Sequence, residues 1–157
     1  MFAEADGYEQ FMGRWSRRLA PLFVEFAQVG RNDHVLDVGS GAGMDSLVAA
    51  QMVGPDGRVT GVDMTAQMLG KARRAAAEMG AEQVKFVEGE AERLPFEAGS
   101  FDVVISNGVI DLVPDKDAVY GEIFRVLAPG GRIQVADVTI QNPVSDEGRR
   151  NIDLWTG

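Results

Sequence analysis

The chain contains no cysteine. Within it that excludes disulfides, thiolate metal sites and a cysteine nucleophile, and it is permissive of a reducing compartment. Histidine is nearly absent too: His34 stands alone, at the entry to a strand, where a structural role is the ordinary one, so we assign it no chemistry. Basic residues are the minority, with 15 Lys and Arg against 24 Asp and Glu, a net charge of −9 and an isoelectric point near 4.6. No basic stripe exists to neutralise phosphates, which argues against a nucleic-acid or anionic-membrane partner. No apolar run approaches the ~20 residues of a membrane-spanning helix. The beginning of the sequence, with Glu4, Asp6 and Glu9, lacks the basic and apolar regions of a signal peptide. These absences together predict a soluble, cytoplasmic protein with no metal site.

What is abundant is glycine and buried-type aliphatic residues. The chain has 157 residues, 45% of them hydrophobic and 19 of them glycine, enough for one domain with a real core. The organising stretch is Val35-Leu36-Asp37-Val38-Gly39-Ser40-Gly41-Ala42-Gly43. Val35, Leu36 and Val38 suit a strand covered on both faces. The glycines that follow permit a tight turn and the close approach of a ligand to the main chain. From Met44 onward, Met44, Leu47, Val48 and Met52 have helical spacing. Strand, glycine loop and helix start make the first βα unit of a nucleotide-type binding fold. The spacing Gly39-x-Gly41-x-Gly43-Met44 lacks the third glycine of the dinucleotide pattern. Asp37 and Asp45 flank the loop and suit a ligand carrying positive charge better than a pyrophosphate. An NAD-dependent oxidoreductase is therefore the disfavoured reading.

The rest of the chain alternates strands and helices. Phe11, Trp15, Leu19, Leu22, Phe23 and Phe26 form a helical stripe beginning near Tyr8, which Pro21 should break or kink near Ala20. Arg58–Val62 reads as the second strand, with Asp63 at its carboxyl end. There an acidic side chain can accept both hydroxyls of a ribose; the structural alternative is a cap on the next helix, beside Thr65. A helix over 66–79 carries Met68, Leu69, Ala72, Ala75, Ala76 and Met79 on one side and is closed by Gly80. Val84–Val87, Phe101–Ser106 and Ile133–Ile140 are the third, fourth and fifth strands. Between the last two, a helix opens at Asp115-Lys116-Asp117 with its apolar face on Ala118, Val119, Ile123, Val126 and Leu127, and Pro129-Gly130-Gly131 stops it. These elements divide the chain into an N-terminal helical cover (1–28), an α/β core (29–140) and a tail (141–157).

Read together, the motifs resemble those of class I S-adenosylmethionine-dependent methyltransferases. VLDVGSGAG is similar to their first motif. Gly61-Val62-Asp63-Met64, Gly89-Glu90-Ala91-Glu92-Arg93-Leu94-Pro95-Phe96, Phe101–Asn107 and Arg125-Val126-Leu127-Ala128-Pro129-Gly130-Gly131 follow in the family's order. The resemblance covers roughly residues 8 to 140. It implies an α/β, Rossmann-like, doubly wound and mostly parallel sheet. The usual seven-stranded sheet ends in a hairpin beside the fifth strand, and this sequence stops before either strand of it. The fifth strand should then present an unpaired edge, so Val135, Val138 and Ile140 predict a homodimer or weak stability as a monomer.

The resemblance also implies a cofactor, S-adenosylmethionine, and a small-molecule methyl acceptor. Asp37, Gly39, Ser40 and Gly41 would hold the methionine portion, Asp63 the ribose, and Glu90 with Ala91 the adenine. Glu90 stands where the family usually carries an aspartate. Met64 would pack on one adenine face or else belong to the core. Asn107 would lie between the cofactor and the acceptor, and the N-terminal helix, with Tyr8 and Trp15, would act as a lid or simply cover the sheet. No general base is evident. Residues 106–134 and the ending Asp153–Gly157 are similar to arsenite methyltransferases, which bind arsenic through cysteine thiolates. With no cysteine in this chain, arsenite is rejected as its substrate. Ubiquinone and menaquinone methyltransferases are a comparably loose likeness. The expected activity is thus in-line methyl transfer to a small molecule; the alternative is a non-catalytic cofactor-binding module or a partner subunit with an incomplete substrate site.

Overall fold

The computed structural model describes residues 17–139 and Ser145. Five strands carry the architecture: β1 (His34–Val38), β2 (Arg58–Asp63), β3 (Val84–Glu88), β4 (Phe101–Asn107) and β5 (Leu127–Ala136). They form one sheet in the order β3-β2-β1-β4-β5, with every pairing parallel. The order reverses at β1, so the crevice between the loops after β1 and β4 lies at the switch point, where open α/β sheets take their ligands. The helices are α1 (helical over 17–26), α2 (Met44–Val53), α3 (Ala66–Glu78) and α4 (Lys116–Val126), with a short 3₁₀ turn at Ile110–Leu112.

The sheet is covered on both faces, which is why its central strands read as continuous aliphatic runs. On one face Phe23, Val24, Ala27 and Val29 pack with Ala49, Ala50 and Val53 of α2 on Val35, Val103 and Ile105. On the other, Val119, Ile123 and Val126 of α4 pack on Leu36, Val38 and Val104. Leu69, Ala72 and Ala76 of α3 close on Phe86 of β3. The Phe86 ring fills space that a side chain at Gly61 of β2 would need, since a Cβ there would stand 2.6 Å from the ring.

Several expectations need correction. Helix α1 runs through Ala20 and Pro21 without interruption. Its buried side is Ala20, Phe23, Val24 and Ala27, while Leu22 and Phe26 are largely exposed. The stripe read from aromatic and leucine positions is thus rotated from the face that packs, because small Ala20 and Ala27 allow the closer approach. The fifth strand begins at Leu127, directly after α4, and not at Ile133. Pairing shifts register between Phe101 and Val103, so Pro129-Gly130-Gly131 lies in a bulged segment of the strand. Tyr8, Phe11, Trp15, Ile140 and, Ser145 apart, the tail over 141–157 lie outside the described residues. No helix among the described residues is long and apolar enough to cross a membrane.

Candidate active site

Register aligns the carboxyl ends of the strands into one rim. Val38 pairs with Val62 on one side and Ser106 on the other, Asp63 with Glu88, and Asn107 with Ala136. The rim is therefore built from the loop 39–43, Asp63-Met64, Glu90-Ala91, Asn107–Asp111 and Asp137.

The glycine loop is held from both sides. The amides of Gly39 and Ser40 donate to the Val62 carbonyl at 2.8 and 3.0 Å. Asp63 takes the Gly41 amide on one oxygen and the Thr65 amide on the other, each at 2.8 Å. Its carboxylate thus ties the loop to the start of α3, joining the capping geometry considered for it to a second, long-range contact. Gly39, Gly41 and Gly43 all have positive φ, at 73°, 51° and 87°. They differ in what surrounds them. A Cβ at Gly39 would stand 2.2 Å from the Val109 side chain, and one at Gly43 2.8 Å from the Phe86 ring. Only the Gly41 position is open, with Met68 at 3.4 Å. The close approach of a ligand expected from all three glycines is available at the middle one; the outer two serve packing.

Behind the loop lies a cluster of carboxyl groups. Asp37 is 1% exposed, and its Oδ2 accepts from Ser46 Oγ at 2.6 Å. Burial, then the neighbouring Asp45, pushes its carboxyl up to about 8. Asp45, in the first turn of α2, is also raised by burial, while the hydrogen bond from Asn107 Nδ2 at 3.1 Å to its Oδ2 opposes the shift. Among the described residues, two buried side-chain polar atoms find no partner: Ser40 Oγ and Asp45 Oδ1. Both belong to this loop and the helix turn that follows it. Buried polar atoms are nearly always satisfied, so two orphans at one strand end fit a site that a polar, positively charged group completes. Sequence reading noted Asp45 as flanking the loop but did not count it in the site. Its contact with Asn107, 62 residues away in sequence, is the reason to add it.

The residues expected to border the adenine lie at the β2 and β3 ends of the rim. Met64 is 62% exposed, so it is not a core residue. Glu90 is exposed and Ala91 half-buried, resting against the Leu36 and Val104 cluster. The segment after Glu90 is clamped from α4. Arg125 donates to the carbonyls of Phe96 and Leu94 at 2.7 and 3.0 Å, and Glu122 accepts the Leu94 amide at 2.8 Å. Glu122 and Arg125 are themselves paired at 2.7 Å.

Past Asn107 the rim opens. Asp111 and Leu112 are exposed, and Asp137 Oδ2 accepts the Asp111 amide at 3.1 Å. Burial, and then Asp137 beside it, raises the Asp111 carboxyl to about 6. Lys116 turns away to the carbonyls of Asp111 and Val113. His34 sits at the opposite end of the sheet, its ring 4.7 Å from that of Phe101 and tilted 48° to it. No group of residues able to hold a metal ion occurs among the described residues.

The family described as "Methyltransferase domain" matches residues 30–154. An arsenite methyltransferase of Halobacterium salinarum is 48% identical over 132 residues, covering 84% of this chain and 34% of that protein. A demethylmenaquinone methyltransferase of Listeria monocytogenes is 35% identical, over 76% of this chain and 50% of that one. Among solved structures, the arsenic(III) S-adenosylmethionine methyltransferase of Chlamydomonas reinhardtii superposes with a TM-score of 0.73 at 36% identity. That superposition covers 90% of this chain and 55% of the other. The chain thus spans between a third and a half of the length of these curated relatives.

Proposed function

Because the chain belongs to the methyltransferase domain family, with the Rossmann-like fold of S-adenosylmethionine-dependent methyltransferases, we propose that it transfers the cofactor's methyl group to a small-molecule acceptor. The observation that carries this reading is the pair of buried carboxylates, Asp37 and Asp45, set with two unsatisfied polar atoms at the one glycine loop of the switch point. A sulfonium cofactor supplies an activated methyl and a neutral leaving group. What remains for the protein is to hold acceptor and methyl close and in line, a contribution that can reach several kcal/mol.

In this reading the open main chain at Gly41 receives the methionine portion. Asp37 is enclosed, so it acts on that portion through the α2 turn it holds by accepting from Ser46. Gly39 shapes the loop against Val109, and Ser40 Oγ is a spare hydrogen-bonding group within it. Asp63 keeps further lone pairs for a ribose after binding its two amides, since each carboxylate oxygen carries two acceptor sites. Met64 presents its thioether to one face of the adenine, Glu90 and Ala91 border its edge, and Asn107 stands between cofactor and acceptor. The absence of thiols in this chain speaks against arsenite as its own acceptor.

The exposed acceptor side favours a second reading, in which this segment binds the cofactor while another segment or subunit completes the acceptor site. One titration distinguishes the two. Binding of S-adenosylhomocysteine together with methyl transfer to any small acceptor supports the enzyme; binding without turnover on a broad panel supports the module. A homodimer along β5 belongs to the same proposal. That strand has one neighbour among the described residues, with Ile133 38% and Val138 73% exposed nearby. The opposite edge is blunted by Arg73, which occupies the Phe86 carbonyl at 2.9 Å. Sedimentation that finds only monomer at high concentration would remove the dimer.

A further inference from the structure

Among the described residues, Asp45 joins the β1 and β4 sides of the switch point through its side chain. It lies in the first turn of α2, directly after the glycine loop, and its Oδ2 accepts from Asn107 at the end of β4. Its other oxygen is shielded from water and unpartnered. The side chains bonded to the two carboxyls are Ser46, on Asp37, and Asn107, on Asp45. Neither is cationic, so among the described residues Asp45 has no ion-pair partner. A side-chain cap would explain an acid in a first turn, but Asp45 caps nothing that leaves its Oδ1 satisfied.

We propose that Asp45 is a specificity-determining residue that makes this site discriminate the sulfonium cofactor from its neutral thioether product. The inference rests on the cofactor reading above. A shielded carboxylate does not need to touch its ligand: in a partly buried setting an uncompensated charge is felt over several ångströms. The ammonium and carboxylate of the methionine portion are common to cofactor and product. The positive charge on sulfur is present only before transfer. Asp45, placed behind Asn107, therefore stabilises the loaded state selectively and relinquishes that stabilisation once the methyl has left, which favours exchange of product for fresh cofactor. Burial, then Asp45 from α2 and Asp63 from β2, all bear on the Asp37 carboxyl of β1 and keep it protonated.

The test is isothermal titration of the chain and of Asp45→Asn with S-adenosylmethionine and with S-adenosylhomocysteine. The amide retains an oxygen for Asn107 and removes only the charge. The ratio of the two affinities should move about tenfold toward the thioether in Asp45→Asn, through loss of sulfonium binding, and should be restored within about threefold in Asp45→Glu. Equal weakening of both ligands, or an unchanged ratio, overturns the proposal while leaving the cofactor reading standing. Failure of the unaltered chain to bind either ligand would instead defeat that reading. If Asp45→Asn does not fold, the unaltered chain is titrated with an analogue carrying a protonated nitrogen in place of the sulfonium. About tenfold tighter binding than the thioether is then expected, and equal affinities overturn the proposal.

Discussion

The two halves of the carboxyl rim are built differently. On the side of β1 and β2, the glycine loop is fixed by Val62, Asp63 and Val109, and its carboxylates are enclosed. On the side of β4 and β5, Gly108 has open space around it and Asp111 stands in water, joined to Asp137 by one long hydrogen bond. Rigid, satisfied backbone with enclosed carboxyls suits a ligand that never changes; open backbone with exposed carboxyls suits a partner that differs from one protein to the next. The contrast teaches where one fold stores its constant chemistry and where it leaves room for variety.

The sharpest way to break the comparison is to place the same methyl on each half. Gly39→Ala should cost about 2–4 kcal/mol, because its Cβ would meet the Val109 side chain at 2.2 Å and the residue would remain at positive φ. Gly108→Ala, also at positive φ but with nothing near its Cβ, should cost only about 1–2 kcal/mol. Equal losses in denaturant melts would erase the distinction between a packed and an open half.

Next comes Asp63→Ala. It removes the acceptor for two amides and the proposed ribose ligand together. Cofactor affinity should fall by about 1.5–3 kcal/mol, roughly 10- to 150-fold, with a lower melting temperature. An intact affinity in the folded variant would confine Asp63 to bracing the loop.

The enclosed carboxyl predicts a pH response that reaches to higher pH than that of Asp111, which is raised only to about 6. Asp37 is raised from 3.8 to about 8 in the folded chain. Between those values the folded state holds a proton that the unfolded chain has released, so stability is greatest near the acid end and declines as pH climbs toward 8. Asp45 adds to the slope in the same direction. Thermal melts from pH 5 to 8.5 should show the decline, and Asp37→Asn should flatten it. A melting temperature that rises over that interval, identically in both, contradicts the assignment. The smallest effect belongs to Asp111→Asn, which should change stability and cofactor affinity by less than about 0.5 kcal/mol, as for an ordinary surface substitution.

Legibility in the sequence followed the same division. The first four strands, the glycine loop and the helix over Ala66–Glu78 could be read because each is a local pattern: an aliphatic run, a glycine spacing, a 3.6-residue period. Asp63 was placed at its strand end by the same logic. The rotated face of α1 was not readable, since alanines give no periodic signal strong enough to outweigh Leu22 and Phe26. Nor was the start of β5 at Leu127, because a bulge lets Pro129-Gly130-Gly131 lie inside a strand. Asp45 was missed as a site residue because its partner, Asn107, comes near only through the crossover from β1 to β4. Long-range pairings of that kind leave no local trace.

The central claim is that the β1–β2 half is a complete cofactor site. A calorimetric titration with S-adenosylhomocysteine, repeated with NADH, tests it most directly. The account predicts one saturable site for S-adenosylhomocysteine and no measurable heat with NADH. A folded chain that binds NADH the more tightly, or that binds neither, would contradict it.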